Sequence, residues 1–167
     1  MYVLCMENTT QNKIHLKPMT LVGIKARTSN REEMSGNGKI ASLWQRFWEE
    51  GILSQIQSRS NLSEFMVTYT DFESDENGEY TILIGACVDA VGVLPNHLTS
   101  VTIPASDYIQ VPTPWGPIAE IGIETWKAIW SEEKFKKNRS YKADLEVYGA
   151  NAKDPNHSQF DIYLGIL

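Results

Sequence analysis

The strand-like segment 144–148, Asp-Leu-Glu-Val-Tyr, carries the side chains best suited to holding a charged ligand. Strand alternation places Asp144, Glu146 and Tyr148 on one face of this segment and the two apolar residues on the other. A carboxylate in a partly apolar groove is costly unless it is paired, and an organic cation would relieve that cost. Glu146 is therefore a candidate cation-binding residue.

A second interpretation of Glu146 needs no ligand. On the residues alone, a solvated strand carboxylate paired with Arg139 or Lys142 is the simpler reading. Both interpretations remain open at this point, because sequence patterning does not show whether that strand face is covered.

Three tyrosines in strand-like segments, Tyr80, Tyr108 and Tyr148, offer both a ring and a hydroxyl group. Tyrosine in a strand is often simple cross-strand packing. A hydroxyl within reach of Glu146 would instead orient the carboxylate, and the same pair could activate a water molecule. These tyrosines are thus candidates for ligand binding or, in an enzyme, for catalysis.

Four of the five tryptophans fall on two segments with helical apolar spacing. Trp44 and Trp48 lie in the first segment, and Trp126 and Trp130 follow exactly 82 residues later in the second. Tryptophan on an apolar helix face is usually core, but wide rigid rings also suit a ligand groove. Trp44 and Trp126, near the helix middles, are the candidates for the groove, and Trp115, before the second helix, is a candidate for its rim.

The matched tryptophans belong to a repeat with halves at 14–88 and 97–167. Each half reads strand–helix–strand–strand. The leading strand segments, 15–25 and 98–110, each contain an internal proline, which predicts two short strands or one bulged strand. The sequence therefore predicts an α+β fold in which duplicated βαββ units form one antiparallel sheet with two main helices. A pseudo-twofold axis would create a ligand groove between the units.

The segment 73–78, Glu-Ser-Asp-Glu-Asn-Gly, allows two interpretations. It resembles the first half of a calcium loop, but the twelfth position is Ile84, where calcium loops have a bidentate Glu. Asn77-Gly78 favours instead a two-residue type I′ turn in a β-hairpin. The hairpin is the favoured interpretation.

Composition sets the remaining bounds. The 167 residues fit a single domain over 1–167 with an N-terminal extension at 1–13, and the net charge of −6 argues against a nucleic-acid partner. Two cysteines and three scattered histidines do not form a metal or disulfide framework, so no metal or cofactor is expected. With no signal peptide or long apolar run, we expect a cytoplasmic protein, as a monomer or homodimer, with no membrane partner.

The order of motifs resembles the gyrase-inhibitor-like small-molecule-binding family, which includes AraC-type effector-binding domains and multidrug-responsive regulators. The resemblance covers about residues 14–167. In the second half it rests on Ile103–Tyr108, Trp115-Gly116-Pro117, the helix with Trp126, and Asp144–Tyr148. First-half segments look like stand-alone members and integron-cassette relatives: Gly23-Ile24-Lys25, Leu43–Phe47 and Tyr80–Gly85.

The resemblance implies binding of lipophilic, often cationic, small molecules in the groove between the halves, with Glu146 as the cation partner among aromatic rings. Regulators of the family carry an attached DNA-binding module, and this chain departs from that pattern, so a stand-alone binding protein without direct nucleic-acid contact is expected. Some relatives implied by the resemblance are hydrolases of reactive electrophiles, for which Glu146 and Tyr108 would be the catalytic pair here. Others bind a protein partner, and this possibility also stays open.

Overall fold

The computed structural model describes residues 12–62 and 64–167. Of the predicted N-terminal extension at 1–13, residues 1–11 lie outside the described residues, and Lys13 begins the first strand. The strands are β1 Lys13–Leu16, β2 Met19–Ser29, β3 Phe65–Thr70, β4 Glu79–Val88, β5 Thr99–Ile103, β6 Ser106–Pro112, β7 Arg139–Tyr148 and β8 Asp161–Ile166. The helices are α1 Asn30–Met34, α2 Ile40–Glu49, α3 Ile52–Gln55, α4 Ile118–Ser131 and α5 Glu133–Asn138, with a 3₁₀ turn at Ala150–Ala152.

All eight strands form one antiparallel sheet in the order β1-β6-β8-β7-β3-β4-β2-β5. In the repeat, β1 corresponds to β5, β2 to β6, β3 to β7 and β4 to β8. Exchanging each strand with its counterpart gives the same strand order, counted from the opposite edge of the sheet. The halves are therefore related by a pseudo-twofold axis between β3 and β7, and the predicted duplicated α+β fold is confirmed.

The two internal prolines divide the leading segments as predicted. Pro18 separates β1 from β2, and Pro104 separates β5 from β6, because proline lacks the N–H that a continuous ladder needs. Each short leading strand then pairs with the other half: β1 with β6, and β5 with β2. The halves are thus joined at both edges of the sheet as well as at its centre.

The two long helices pack on one face of the sheet. Leu43 and Phe47 of α2, and Ile121 and Ile129 of α4, are buried at helical spacing in the main apolar cluster. This cluster also contains Val67 of β3. Adjacent residues in the same strands point the other way and form a second cluster. Its buried members include Leu21, Met66, Leu83, Tyr108 and Leu145.

The β3–β4 hairpin is confirmed, but the predicted type I′ turn is wrong. Neither Asn77 nor Gly78 has a positive φ, and the strands are joined by the eight residues 71–78, in which Asp71 takes the left-handed conformation (φ 52°). Space at Gly78 is tight, since a Cβ there would lie 2.5 Å from the Ser74 hydroxyl oxygen and 3.1 Å from the Ser74 backbone nitrogen. Within the described residues, no group of three or more potential ligands could hold a metal ion.

No helix in the ranges 12–62 and 64–167 is both long enough and apolar enough to cross a lipid bilayer.

Candidate ligand-binding site

Glu146 lies at the centre of the sheet, on the helix-covered face. Its register partner in the neighbouring strand β3 is Val67. The side chain is only 5% exposed, so the solvated-carboxylate interpretation of Glu146 is wrong. The next question is what satisfies a carboxylate in this position, since burial without partners would be costly.

Three neutral donors hold the Glu146 carboxylate. Trp126 Nε1–H and the Tyr69 hydroxyl both donate to Oε1, at 2.7 Å and 2.8 Å. The Tyr148 hydroxyl donates to Oε2 at 2.6 Å. None of the ion pairs formed by the described residues includes Glu146. Both carboxylate oxygens thus accept hydrogen bonds, which fix the orientation of the group, and no residue in the described part of the chain serves as its counter-ion.

Burial and hydrogen bonding act in opposite directions on this carboxyl group. Desolvation raises the pKa of Glu146 above its usual value, and the hydrogen bonds from Tyr148, Trp126 and Tyr69 offset part of that rise. Burial, together with the Glu146 charge, raises the pKa of Tyr69 and of Tyr148. Both tyrosines therefore stay protonated and serve as donors across the neutral pH range.

Two equivalent aromatic pairs flank the carboxylate. Trp44 of α2 meets the Tyr148 ring edge-on, with centroids 5.6 Å apart and planes at 79°. Trp126 of α4 meets Tyr69 in the same way, at 5.5 Å and 76°. The repeat relates Trp44 to Trp126 and Tyr148 to Tyr69. Each pair therefore combines a tryptophan from one half with a tyrosine from the other, and the two equivalent pairs flank one carboxylate. The indole N–H of Trp126, unlike that of Trp44, reaches Glu146.

Tyr80 lies at the edge of this cluster. Its ring meets Tyr69 edge-on at 5.7 Å, and its hydroxyl donates to Asn30 Oδ1 at 3.0 Å. Tyr80 therefore supports Tyr69 and has no hydrogen bond to the carboxylate. Four of the residues singled out from the sequence, Trp44, Tyr80, Trp126 and Tyr148, are thus brought around Glu146.

Tyr108 and Trp115 are not brought to this cluster. Tyr108 is 1% exposed and packs with Met66 and Leu145 in the second cluster, on the opposite face of the sheet from Glu146. The expected catalytic pairing of Tyr108 with Glu146 is therefore wrong. On strand β6 the neighbouring residue Ile109 points to the helix-covered face of the sheet, and Tyr108 points to the opposite face. Trp115 is 49% exposed and stacks on His157, with ring centroids 4.9 Å apart.

Arg139, considered above as a partner of Glu146, pairs with Asp144. Arg139 Nη2 donates to Asp144 Oδ2 at 2.6 Å, and the Gly165 N–H donates to Asp144 Oδ1 at 2.9 Å. Both members of this ion pair are buried. The guanidinium also lies 4.4 Å from the centroid of the Tyr141 ring. A second buried carboxylate on the same strand is therefore neutralised, whereas Glu146 is not.

Two site residues were missed in the sequence. Tyr69 donates directly to Glu146, and Phe65 stacks on Tyr148 with centroids 4.8 Å apart and planes at 6°. For Tyr69 a signal was present, since it precedes Tyr148 by 79 residues in the repeat. A repeat that assigns a role to one tyrosine assigns the same role to its counterpart. Phe65 has no such signal, because its counterpart is Asp144.

Comparisons with known proteins identify the class to which this duplicated βαββ sheet belongs. The family model described as an integron-associated effector binding protein matches residues 14–166. The chain belongs to this family. The resemblance to integron-cassette relatives is thereby confirmed.

A curated relative extends the comparison. YobU, a proposed transcriptional regulator of Bacillus subtilis (strain 168), is 32% identical over 152 residues, which cover 91% of this chain and 94% of YobU.

Solved structures show the same fold at lower identity. An integron cassette protein from Vibrio cholerae is 23% identical with a TM-score of 0.68, covering 92% of this chain and 94% of its own. SAV2435, solved bound to tetraphenylphosphonium, is 19% identical with a TM-score of 0.74, covering 95% and 94%.

Proposed function

We propose that this protein binds lipophilic organic cations, with Glu146 as the counter-charge. The observation that carries the proposal is a 5%-exposed carboxylate whose hydrogen bonds all come from neutral groups. An ionised group in such a place is costly unless an opposite charge approaches it. A bound cation supplies that charge, so the free energy lost by burying Glu146 is partly recovered on binding.

The three hydrogen bonds favour a particular kind of cation. A quaternary ammonium or phosphonium ion has no N–H to donate and does not compete for hydrogen bonds. Tyr69, Tyr148 and Trp126 can therefore keep their bonds to Glu146 while the ligand contributes charge and apolar surface. Cation–π contact with each nearby ring adds on the order of 0.5–2 kcal/mol. These features select a lipophilic, permanently charged cation over a strongly hydrated one.

Two independent comparisons support the proposal. The family is described as effector binding, and a protein of the same fold, SAV2435, was solved with a lipophilic cation, tetraphenylphosphonium. We infer a small-molecule ligand of the same general chemistry for this chain.

The test is isothermal titration calorimetry with tetraphenylphosphonium on the wild-type protein and on Glu146→Gln. Glutamine keeps the size of the side chain and an oxygen acceptor but removes the charge. The variant should bind at least tenfold more weakly, since a hydrogen-bonded buried charge is worth about 1.5–3 kcal/mol.

Glu124→Gln is the matched control. Glu124 is an exposed residue of α4, two residues from Trp126, and its substitution makes the same change in net charge. Affinity should stay within twofold of wild type. Unchanged affinity in Glu146→Gln, or equal losses in both variants, would contradict the counter-charge role.

A further inference from the structure

The sheet ends in two equivalent edge strands, β1 and β5. Among the described residues, β1 pairs with β6 alone and β5 pairs with β2 alone. Each edge strand therefore presents one row of backbone N–H and C=O groups that the sheet does not use. Natural sheets protect such edges with charged side chains, prolines or bulges, because an unprotected edge readily accepts a further strand. The residues along each edge thus indicate whether it accepts one.

The β1 edge is protected by charged side chains. Lys13 and His15 are exposed on this outer strand, and both contact Asp107 of β6. Lys13 Nζ lies 3.5 Å from Asp107 Oδ2, and His15 Nδ1 lies 2.7 Å from Asp107 Oδ1. A further strand at this edge would displace water from the whole cluster, which is unfavourable for charged groups.

The β5 edge has neutral side chains at the equivalent positions. The register pair His15–Asp107 at the β1 edge corresponds to the pair Thr102–Thr20 at the β5 edge. The Thr20 and Thr102 hydroxyl oxygens lie 3.1 Å apart, so two hydroxyl groups meet where the other half has a histidine and a carboxylate. Ser100 is the other exposed residue of β5, and it is also neutral. The two edges are therefore alike in backbone and different in charge.

The chain leading into β5 also lacks charge. Residues 90–106 contain no Asp, Glu, Lys or Arg, and this is the longest such run in the sequence. The run includes all of β5 and most of the loop before it. Val91 and Val93 in that loop are 45% and 102% exposed. The charges that keep an exposed strand from pairing are thus absent from the β5 edge and from the loop that leads into it.

The sequence of β5 is complementary to itself. In an antiparallel pair centred on Val101, Ser100 faces Thr102 of the partner subunit, and Thr99 faces Ile103 of the partner subunit. Cross-strand pairs of β-branched and hydroxyl side chains stabilise a sheet, and no like charges meet in this register. A twofold axis through such a pair closes the assembly at two copies. A second copy of this chain therefore satisfies both the free backbone groups and the side chains of β5.

We propose that two copies of this chain associate through β5 and form one continuous antiparallel sheet across a twofold axis. A five-residue edge buries less surface than a standard protein interface, so the dimer is weak, with a dissociation constant of about 1–100 μM. This association does not depend on ligand binding. Glu146→Gln should therefore dimerise like the wild-type protein, whatever its affinity for cations.

Sedimentation equilibrium over this concentration range measures the association. The wild-type mass should rise from that of one chain to that of two. The double variant Ser100→Lys, Thr102→Lys sets lysines opposite lysines in the symmetric pair, and its dissociation constant should rise roughly tenfold or more. His15→Lys is the matched control, because the β1 edge, with Lys13, then carries two lysines at the equivalent positions. It should associate within twofold of wild type.

A charge exchange separates repulsion between subunits from a folding defect. The double variant Ser100→Glu, Thr102→Glu should also be monomeric on its own, since glutamates then face glutamates. Mixed in equal amounts, the lysine and glutamate variants should form a one-to-one dimer, because each lysine faces a glutamate. No dimer in the mixture, with both variants keeping the wild-type circular dichroism spectrum, would overturn the proposal.

Hydrogen exchange on the wild-type protein locates the interface without any variant. Raising the protein concentration from about 1 μM to about 200 μM should slow exchange at the β5 amides that point away from β2, and leave the β1 amides unchanged. A wild-type protein that stays monomeric across this range would overturn the proposal. Slower exchange confined to another surface, or unchanged association in the lysine variant of β5, would also do so.

Discussion

Glu146 of β7 and Val67 of β3 are register partners in the central strand pair, and they occupy equivalent positions in the two halves of the repeat. The 79-residue offset that relates Tyr69 to Tyr148 also relates Val67 to Glu146, so the pseudo-twofold axis passes between these two register partners. A side chain on the axis is within reach of both halves. One carboxylate therefore accepts hydrogen bonds from both equivalent tyrosines, and an apolar counterpart avoids a second buried like charge.

The first prediction concerns the pH dependence of cation binding. Only ionised Glu146 attracts a cation, so affinity should rise as pH increases through the Glu146 pKa and level off above it. Burial raises that pKa, so the rise should occur above the usual range for a glutamate. Tetraphenylphosphonium does not titrate, and calorimetry across pH 4–8 measures the protein's contribution alone.

The groups that face Glu146 set the control for this profile. Tyr69, Tyr80 and Tyr148 all have raised pKa values and do not titrate in this range, which leaves Asp144 as the second carboxyl on the same strand. If the ionisation of Asp144 contributes to the pH dependence of affinity, that contribution remains in the Glu146→Gln variant. Without it, the affinity of the variant should not change with pH. A flat profile in the wild-type protein would contradict the role of Glu146 charge.

The second prediction concerns stability without ligand. The Glu146 pKa is raised in the folded protein, so folding favours its protonated form, and stability falls as pH rises from the unfolded-state pKa to the folded-state pKa. Glu146→Gln removes this loss. The difference in unfolding free energy, variant minus wild type, should therefore be larger at pH 7.5 than at pH 4, by about 1.4 kcal/mol for each unit by which folding raises the Glu146 pKa. Urea titrations at both pH values measure it, and a difference independent of pH would refute it.

The third prediction compares the two equivalent tyrosines. Among the residues that the structure describes, Tyr148 is the single donor to Oε2, whereas Tyr69 shares Oε1 with Trp126. A hydrogen bond to a charged group is worth about 1.5–3 kcal/mol, and its loss raises the Glu146 pKa further. Tyr148→Phe should therefore move the pH profile of tetraphenylphosphonium binding to higher pH by more than Tyr69→Phe does. Equal shifts, or the reverse order, would contradict the hydrogen-bond assignment.

The repeat accounts for how much of the fold was predictable. Apolar spacing located α2 and α4, and two prolines located the breaks between the short leading strands. Strand alternation alone placed Glu146 and Tyr148 on one face, apart from Leu145. These are local patterns, and local patterns are what a single sequence records directly.

The features that were missed depend on contacts between distant segments. Tyr69 reaches Glu146 only because β3 pairs with β7 in one particular register. Arg139 reaches Asp144 across an irregularity in β7, where Tyr141 takes a left-handed conformation with φ 51°. Strict alternation cannot anticipate that irregularity. Tyr108 was assigned to the wrong face for a related reason. Both faces of its strand carry buried apolar residues, so alternation does not indicate which face the helices cover.

The fourth prediction concerns the buried Arg139–Asp144 pair. Arg139→Met leaves the Asp144 carboxylate buried, with the Gly165 N–H as the one remaining hydrogen-bond donor to that side chain within ranges 12–62 and 64–167, which should cost about 3–5 kcal/mol of unfolding free energy. The double variant Arg139→Met, Asp144→Asn removes both charges and should recover part of the loss. Urea denaturation of the four proteins of this cycle gives the coupling energy. A coupling below about 1 kcal/mol would show that the pair contributes little.

The fifth prediction separates the two faces of the sheet. The Tyr108 hydroxyl is buried without a hydrogen-bond partner among the described residues, and burial raises its pKa to about 12. Removing an unsatisfied polar group relieves a desolvation cost, so Tyr108→Phe should leave stability unchanged or raise it by about 1 kcal/mol. Tetraphenylphosphonium affinity should stay within twofold of wild type, because Glu146 lies on the opposite face.

Tyr148→Phe is the natural comparison, since it makes the same chemical change on the Glu146 face. Thermal denaturation and calorimetry on both variants should give opposite patterns, with binding weakened at neutral pH in Tyr148→Phe and preserved in Tyr108→Phe. Loss of cation binding in Tyr108→Phe would place the ligand on the second cluster and contradict the assignment of Glu146. Because both variants delete one hydroxyl from a buried tyrosine, this difference isolates the face of the sheet that the ligand uses.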